Sequence, residues 1–141
     1  MPKLQSYLGY NFCGPIGGHV IPQRVQNLYI REYARSKEVT VSFTVSEYFD
    51  SSRGLMLFSQ FDHAAEIAGL VFYSFLQLPV DPTLRGEFLR RAFEAKWTLY
   101  FALEDLKSHD AESFRTLQRL HQISSDPRFE EAHVALLAQY R

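Results

Sequence analysis

The chain has 141 residues, of which 46% are apolar and 22% are charged, as in one ordinary globular domain spanning residues 1–141. Its formal net charge of −1 argues against broad electrostatic binding of nucleic acid, and its single cysteine excludes an internal disulfide and fits a reducing compartment. No apolar run reaches the ~18 residues of a membrane span, and the N-terminus lacks a signal-peptide core, so we expect a cytoplasmic protein without membrane insertion.

The first predicted unit is a strand, a glycine-containing loop and a helix. Residues 7–12 are apolar and aromatic, as expected of a short buried strand. The loop after them contains three glycines, at positions 14, 17 and 18. Pro22 suits the first turn of a helix, and apolar residues recur at helical spacing from there to about Ser36.

The middle of the chain predicts a strand, a helix and a second strand. Residues 39–45 alternate β-branched and polar side chains, which is typical of a strand. Residues 55–68 carry one apolar stripe and predict a helix that Gly69 ends. Residues 70–78 are almost continuously apolar, as expected of a central strand covered on both faces.

The last third predicts one more strand and three helices. Asp81 and Pro82 form a helix N-cap followed by proline, and residues 97–103 read as a fourth strand. Asp110 and the pair Asp126-Pro127 then begin two closing helices.

The order of these elements is β-α-β-α-β-α-β-α-α, and the connections have the length of parallel crossovers. We therefore predict an α/β domain, a three-layer sandwich with a small four-stranded parallel sheet and two C-terminal helices. The expected strand order is 2-1-3-4, with the first strand in the interior of the sheet.

Parallel strands present their carboxyl ends at one edge of the sheet, where ligands of open α/β sheets bind. Polar residues lie there: Cys13 and His19 after the first predicted strand, Ser46, Glu47 and Tyr48 after the second, Ser74 within the third, and Glu104 and Asp105 after the fourth. We predict that Glu47 and Glu104 are the general acid and base of any reaction, with His19 as a further proton-transfer group.

The same edge suggests ligand-binding positions near the start of the first helix, where backbone N–H groups favour an anion. The predicted ligand-binding residues are Gly14, Gln23, Gln26, Asn27, Tyr48 and Ser74. Each predicted site residue also has a simpler explanation. The carboxylates and amides can merely face solvent, and Cys13 can be a small buried apolar residue.

Motifs for bound metals and cofactors are missing from the sequence. The five histidines are scattered, and neither a His-Glu-x-x-His pattern nor a cysteine pair occurs. A Walker loop, a Gly-x-Gly-x-x-Gly loop and a Gly-x-Ser-x-Gly turn are also missing. We therefore predict no metal and no cofactor.

Several segments together resemble one protein family: Gly9-Tyr10, Pro22-Gln23-Arg24-Val25-Gln26-Asn27-Leu28, Ser46-Glu47-Tyr48, Gly69-Leu70-Val71-Phe72-Tyr73-Ser74 and Phe101-Ala102-Leu103-Glu104. This family is the sporadic carbohydrate cluster proteins, small bacterial proteins found among gene clusters for surface polysaccharides. The resemblance runs from about residue 8 to 106, and Pro-Gln-x-Val-Gln-Asn is its most specific piece. It implies a role in cytoplasmic biosynthesis of glycans such as lipopolysaccharide O-antigen, and it implies no particular reaction.

The order of elements is also similar to the catalytic domain of serine recombinases. That family has its nucleophilic serine just after the first strand, in a Tyr-x-Arg-x-Ser pattern. The corresponding stretch here, residues 10–14, reads Tyr-Asn-Phe-Cys-Gly and contains neither the arginine nor the serine. DNA strand exchange is therefore disfavoured, although the fold can be shared.

The sequence leaves three functions in competition. The leading hypothesis is binding of a sugar, sugar phosphate or nucleotide sugar at the carboxyl rim, with or without catalysis. The alternatives are a non-catalytic binding or assembly subunit for a biosynthetic enzyme and a degenerate recombinase-like domain. The chain has twelve Phe, eight Tyr and one Trp, and this aromatic content, including Tyr29, Tyr33 and Phe58, favours a homo-oligomer.

Overall fold

In the computed structural model, which describes residues 6–48 and 54–124, strands and helices alternate along the chain. The elements are β1 (Ser6–Phe12), β2 (Pro15–Ile16), β3 (His19–Val20), α1 (Gln23–Ser36), β4 (Val41–Glu47), α2 (Leu55–Ser59), β5 (Ile67–Phe72), α3 (Pro82–Glu94), β6 (Thr98–Phe101), β7 (Leu106–Ser108) and α4 (Ala111–Ser124). Two 3₁₀ helices, Gln60–Glu66 and Phe75–Gln77, lie on either side of β5.

The main sheet has five strands in the order β4-β1-β5-β6-β7. The four predicted strands are mutually parallel and stand in the expected relative order, but β7 adds a fifth strand antiparallel to β6. The predicted four-stranded, fully parallel sheet is therefore wrong in its strand number. The missed strand has only three residues, too few to show a period, and it follows a turn in which Asp105 has a φ of 52°.

The boundaries around β5 also differ from the prediction. The predicted helix over residues 55–68 is a short α-helix that continues as a 3₁₀ helix, and β5 already begins at Ile67. Gly69 lies inside β5 and does not end a helix. A Cβ atom there would lie 1.8 Å from the carbonyl oxygen of Thr98 on β6, so only glycine allows the two strands to approach this closely.

Helices cover both faces of the sheet, which makes three layers. On one face the α1 residue Ile30 packs with Val71 and Tyr100 in a small core. The other face carries the larger core, which includes Leu57 of α2, Phe88 and Leu89 of α3, and Phe114 and Leu117 of α4. Thus, in residues 6–48 and 54–124, one α-helix lies on the first face and three lie on the second.

Three local features complete the comparison with the sequence. The predicted N-caps are confirmed, because Asp81 Oδ1 accepts bonds from the N–H groups of Thr83 and Leu84, and Asp110 Oδ1 accepts one from Ser113. The glycine-containing loop is a small hairpin of β2 and β3, which turns at Gly17 and Gly18 with φ values of 58° and 84°. The second closing helix, predicted from residue 126, lies outside the described residues.

Candidate functional site at the carboxyl rim

The carboxyl ends of the four parallel strands lie side by side. Phe12 at the end of β1 is opposite Glu47 of β4, and Phe72 at the end of β5 is opposite Phe101 of β6. Residues that follow these strands therefore lie along one edge, as parallel topology requires. Gln77 joins two of the groups that they form, since its Oε1 accepts from the Ser74 N–H at 3.1 Å and its Nε2 donates to Gln26 Oε1 at 3.0 Å, whereas the Glu47 side chain bonds elsewhere.

Glu104 and Ser74 form the first group, between the ends of β5 and β6. Ser74 Oγ donates to Glu104 Oε1 at 2.9 Å, and the Phe75 N–H donates to the same oxygen at 2.6 Å. Glu104 Oε2 is buried and has no hydrogen-bond partner among the described residues. Burial raises the pKa of Glu104, while the bonds from Phe75 and Ser74 oppose the rise.

Glu47 belongs to a second group beneath α2. Its side chain is 2% exposed, and Oε1 accepts a 3.0 Å bond from the N–H of Leu57 in the first turn of α2. The Tyr10 hydroxyl lies nearby, and burial together with the Glu47 charge raises the pKa of Tyr10 well above its usual range. In this position Glu47 satisfies a helix N-terminus, which stabilises α2.

Cys13 lies beside this second group and is half-buried. Its thiol donates to the carbonyl oxygen of Tyr48, and its backbone N–H donates to the carbonyl oxygen of Glu47 at 3.1 Å. The Tyr48 side chain is exposed. The chain after β1 is thereby tied to the chain after β4.

Gln26 joins the rim from α1 and is fully buried. Its Nε2 donates to the carbonyl oxygens of Phe12 and Ile21 at 2.7 and 2.8 Å, and its Oε1 accepts from the Phe12 N–H at 2.9 Å. Gln77 Nε2 donates to the same oxygen at 3.0 Å. These four bonds use every donor and acceptor of the amide, so a ligand can reach Gln26 only by displacing one of them.

The remaining predicted residues lie apart from these groups. His19 is exposed on the hairpin, where it pairs with Ile16. Asn27 Oδ1 accepts a 3.0 Å bond from Thr44 Oγ1 of β4. Gly14 and Gln23 are half-buried, in the loop and in the first turn of α1.

The structure therefore brings Glu104 to Ser74, and Glu47 to Tyr10 and Cys13, but it does not place the two carboxyl groups in one cluster. No hydrogen bond among the described residues joins Glu47 to Glu104, and His19 bonds to neither of them. The catalytic roles proposed for these three residues stay predictions, and Glu104 is the one with a buried oxygen that has no hydrogen-bond partner among the described residues.

Sequence reasoning missed some of the buried polar residues. The apolar pattern places Gln77 and Tyr10 inside predicted strands, and both carry buried polar atoms. Arg85 lies buried on α3, where its guanidinium donates to Gln118 Oε1 at 2.8 Å and to the Val80 carbonyl oxygen at 3.1 Å. Buried partners like these carry no sequence signature, because they are fixed by contacts between distant segments.

His121 on α4 is another buried residue that sequence reasoning missed. Burial, with a further contribution from the charge of Arg85, lowers the pKa of His121 to about 4. Its ring meets that of Phe75 edge-on, with centres 6.0 Å apart, which connects α4 to the loop that Glu104 holds.

Metal and membrane binding can be examined directly in residues 6–48 and 54–124. There, no group of three or more His, Cys, Asp or Glu side chains could hold a metal ion. Among the described helices, none is both long enough and apolar enough to cross a membrane.

No protein-family model matches the chain, and no curated protein matches it. The resemblance to the sporadic carbohydrate cluster proteins therefore stays an expectation that the sequence motifs alone support.

Proposed function

We propose that the protein binds a sugar, sugar phosphate or nucleotide sugar at the carboxyl rim, in the cytoplasmic biosynthesis of bacterial surface carbohydrate such as O-antigen. The biological setting comes from the sequence resemblance. The observation that carries the binding site is the environment of Glu104, a carboxyl group with one oxygen engaged and the other without a partner among the described residues.

The two oxygens of Glu104 have different capacities. Oε1 is held by Ser74 and Phe75, which fixes the carboxyl group in place. Oε2 is a buried acceptor, and a buried acceptor without a partner costs roughly 1–3 kcal/mol. A hydroxyl group of a sugar would supply the bond. Because burial raises its pKa, Glu104 also retains its proton to higher pH than an exposed glutamate and can serve as a general acid.

Apolar surface next to Glu104 fits the non-polar faces of a sugar ring. Leu103, directly before Glu104, is half exposed, and its N–H donates to the Tyr73 carbonyl oxygen at 2.8 Å. Tyr73 packs edge-on against the exposed ring of Tyr29 on α1, with ring centres 5.5 Å apart. Such a combination of aromatic surface with a few fixed polar groups is usual in small-molecule sites.

Titration of the protein with glucose, glucose-1-phosphate and UDP-glucose, followed by backbone amide NMR, tests the proposal. We expect resonances of residues 73–75 and 103–104 to shift. Glu104→Gln should preserve the fold and weaken binding about tenfold, because the NH2 group that replaces Oε2 cannot accept a bond from a sugar hydroxyl. Glu94→Gln, a change at an exposed glutamate on α3, is the matched control. Shifts confined to other surfaces, or equal affinity in both variants, would refute the proposal.

A second candidate function is a non-catalytic subunit that assembles with a biosynthetic enzyme. The outer face of α1 favours it, because Val25, Leu28 and Tyr29 are exposed there next to one another. Under this alternative, none of the sugars binds, and Leu28→Lys abolishes association with a protein partner while Glu104→Gln leaves association unchanged.

A further inference from the structure

Within the described part of the chain, α1 is the one helix on its face of the sheet, and a cavity of about 360 Å³ lies beside it. We call this cavity the tyrosine–lysine pocket. It is lined by Tyr33 and Lys37 of α1, Tyr100 of β6, Asp105 of the β6–β7 turn and Lys107 of β7.

Two tyrosine rings form the floor of the tyrosine–lysine pocket, and each has a lysine ammonium group near it. The ring centres of Tyr33 and Tyr100 are 6.3 Å apart. Lys37 Nζ lies 5.5 Å from the centre of the Tyr33 ring, and Lys107 Nζ lies 5.7 Å from that of Tyr100. Both distances are within the range of cation–π attraction, so the rings help to hold the ammonium groups in place.

The charge of the pocket is positive although the chain has a formal net charge of −1. Asp105 is its one acidic residue, and that carboxylate is already engaged, accepting from the Tyr33 hydroxyl at 2.8 Å and lying 3.0 Å from Lys37 Nζ. Lys107 forms no ion pair within the part of the chain that the structure describes. Among the described residues, the Lys107 ammonium group therefore lies near an aromatic ring and has no carboxylate partner.

A fixed turn holds the acidic residue of the pocket. Asp105 has a φ of 52°, a left-handed conformation that non-glycine residues rarely adopt. Its bonds to Tyr33 and Lys37 tie the β6–β7 turn to α1, so the pocket is a formed cavity between two elements.

We propose that the tyrosine–lysine pocket binds the phosphate of a phosphorylated sugar or nucleotide sugar, with the ammonium groups of Lys37 and Lys107 on the phosphate and the half-buried Tyr33 ring beside the attached sugar. Ammonium groups form strong, charge-assisted hydrogen bonds with phosphate oxygens, and a tyrosine ring offers a flat apolar surface to a sugar or base. For the remainder of the ligand this inference rests on the proposed function, since Glu104 directly precedes Asp105, which lines the pocket.

The experiment uses inorganic phosphate, UDP and glucose as separate probes, again with amide NMR and a fitted Kd for each. We expect phosphate and UDP to shift the resonances of residues 33, 37, 100, 105 and 107, and glucose to leave them in place. Lys107→Gln and Lys37→Gln should each weaken UDP binding about tenfold. Lys96→Gln, a matched change at an exposed lysine outside the pocket, should leave the Kd within about twofold.

Several results would overturn the inference. They are the absence of binding by both phosphate probes, equal weakening by Lys96→Gln and Lys107→Gln, and tighter binding of a single-stranded oligonucleotide than of UDP at the same residues. The last result would assign the pocket to nucleic acid, which also uses aromatic and basic side chains.

The two proposals can fail independently. If UDP binds at the pocket while Glu104→Gln leaves UDP-glucose affinity unchanged, the rim site is wrong and the pocket stands. If glucose binds at Glu104 but phosphate adds no affinity, the rim site stands and the pocket is wrong.

Discussion

At the scale of single residues, the amide of Gln26 replaces contacts that a regular sheet would have made at the end of β1. It bonds to both the N–H and the carbonyl group of Phe12, as a neighbouring strand does, and also to Ile21 and Gln77. The side chain is fully buried, so water cannot take over these bonds if the amide is removed.

Gln26→Leu should therefore destabilise the protein by about 2–4 kcal/mol. It leaves several buried polar groups without hydrogen-bond partners, while the side-chain volume stays similar. Gln23→Leu in the first turn of the same helix should change stability by no more than about 0.5 kcal/mol. Urea denaturation of both variants measures the difference. Equal stabilities for the two variants would contradict this role for Gln26.

Glu104 makes a pH-dependent contribution to stability whose sign follows from its environment. Burial raises its pKa in the folded protein above the value in the unfolded chain. Between these two values the folded state binds more protons than the unfolded state, so ionisation of Glu104 lowers stability as the pH rises. The window begins at the ordinary glutamate value and extends upward to the raised one.

Glu104→Gln keeps an oxygen that accepts the hydrogen bonds from Ser74 and Phe75, but its side chain cannot ionise. We expect its free energy of unfolding, relative to that of the parent protein, to increase steadily as the pH rises from acidic to neutral. Denaturation curves at a series of pH values test this. A constant difference across the series would show that Glu104 has the same pKa in both states.

At the scale of elements, glycines determine how closely the strands and helices approach. Gly69 allows β5 to lie against Thr98 of β6, whereas Gly86 lies inside α3 with space around it. A Cβ at Gly86 would meet only Gln118 Nε2, at an ordinary contact distance of 3.5 Å.

The same substitution should therefore have opposite effects at these two positions. Gly69→Ala forces β5 and β6 apart and should cost about 3 kcal/mol or more. Gly86→Ala removes a flexible residue from a helix and should stabilise the protein by up to about 1 kcal/mol. Thermal and urea unfolding of both variants give the comparison, and equal signs would refute it.

At the scale of the whole molecule, three exposed apolar side chains lie side by side on the outer face of α1. Leu28 is 61% exposed, and Val25 and Tyr29 lie beside it on the same face. The aromatic content that predicts self-association also includes Phe58 and Tyr33, but both make contacts inside the chain. Phe58 packs against Phe88 with ring centres 5.9 Å apart, and the Tyr33 hydroxyl donates to Asp105. The face around Leu28 is therefore the surface on which we expect self-association.

We predict a two-fold dimer formed through this face of α1. Light scattering coupled to size-exclusion chromatography should give twice the chain mass at micromolar concentration. Leu28→Lys should convert the dimer to a monomer, because it buries a charge without a partner. Ile123→Lys, at an exposed apolar residue on α4, should leave the dimer intact. A monomeric parent protein would rule out this assembly.

The sequence by itself determined the layered α/β class, the relative order of the four parallel strands and the two aspartate N-caps. Each of these follows from a pattern within one segment, or from the short connections between successive segments. It did not reveal β7, the hairpin of β2 and β3 or the place of Gly69 within β5. The first two are too short to show a period, and Gly69 is explained by a contact with a strand almost thirty positions away in sequence.

The rim residues illustrate the same division. Parallel topology was enough to predict that Glu47, Ser74 and Glu104 lie at one edge. Only the tertiary structure decided that Glu47 is enclosed beneath α2 while Glu104 bonds to Ser74 and keeps one oxygen without a partner among the described residues. The physical reason is that the end of a strand determines the backbone position of a residue. The burial and hydrogen bonds of its side chain depend instead on the elements that pack over that position.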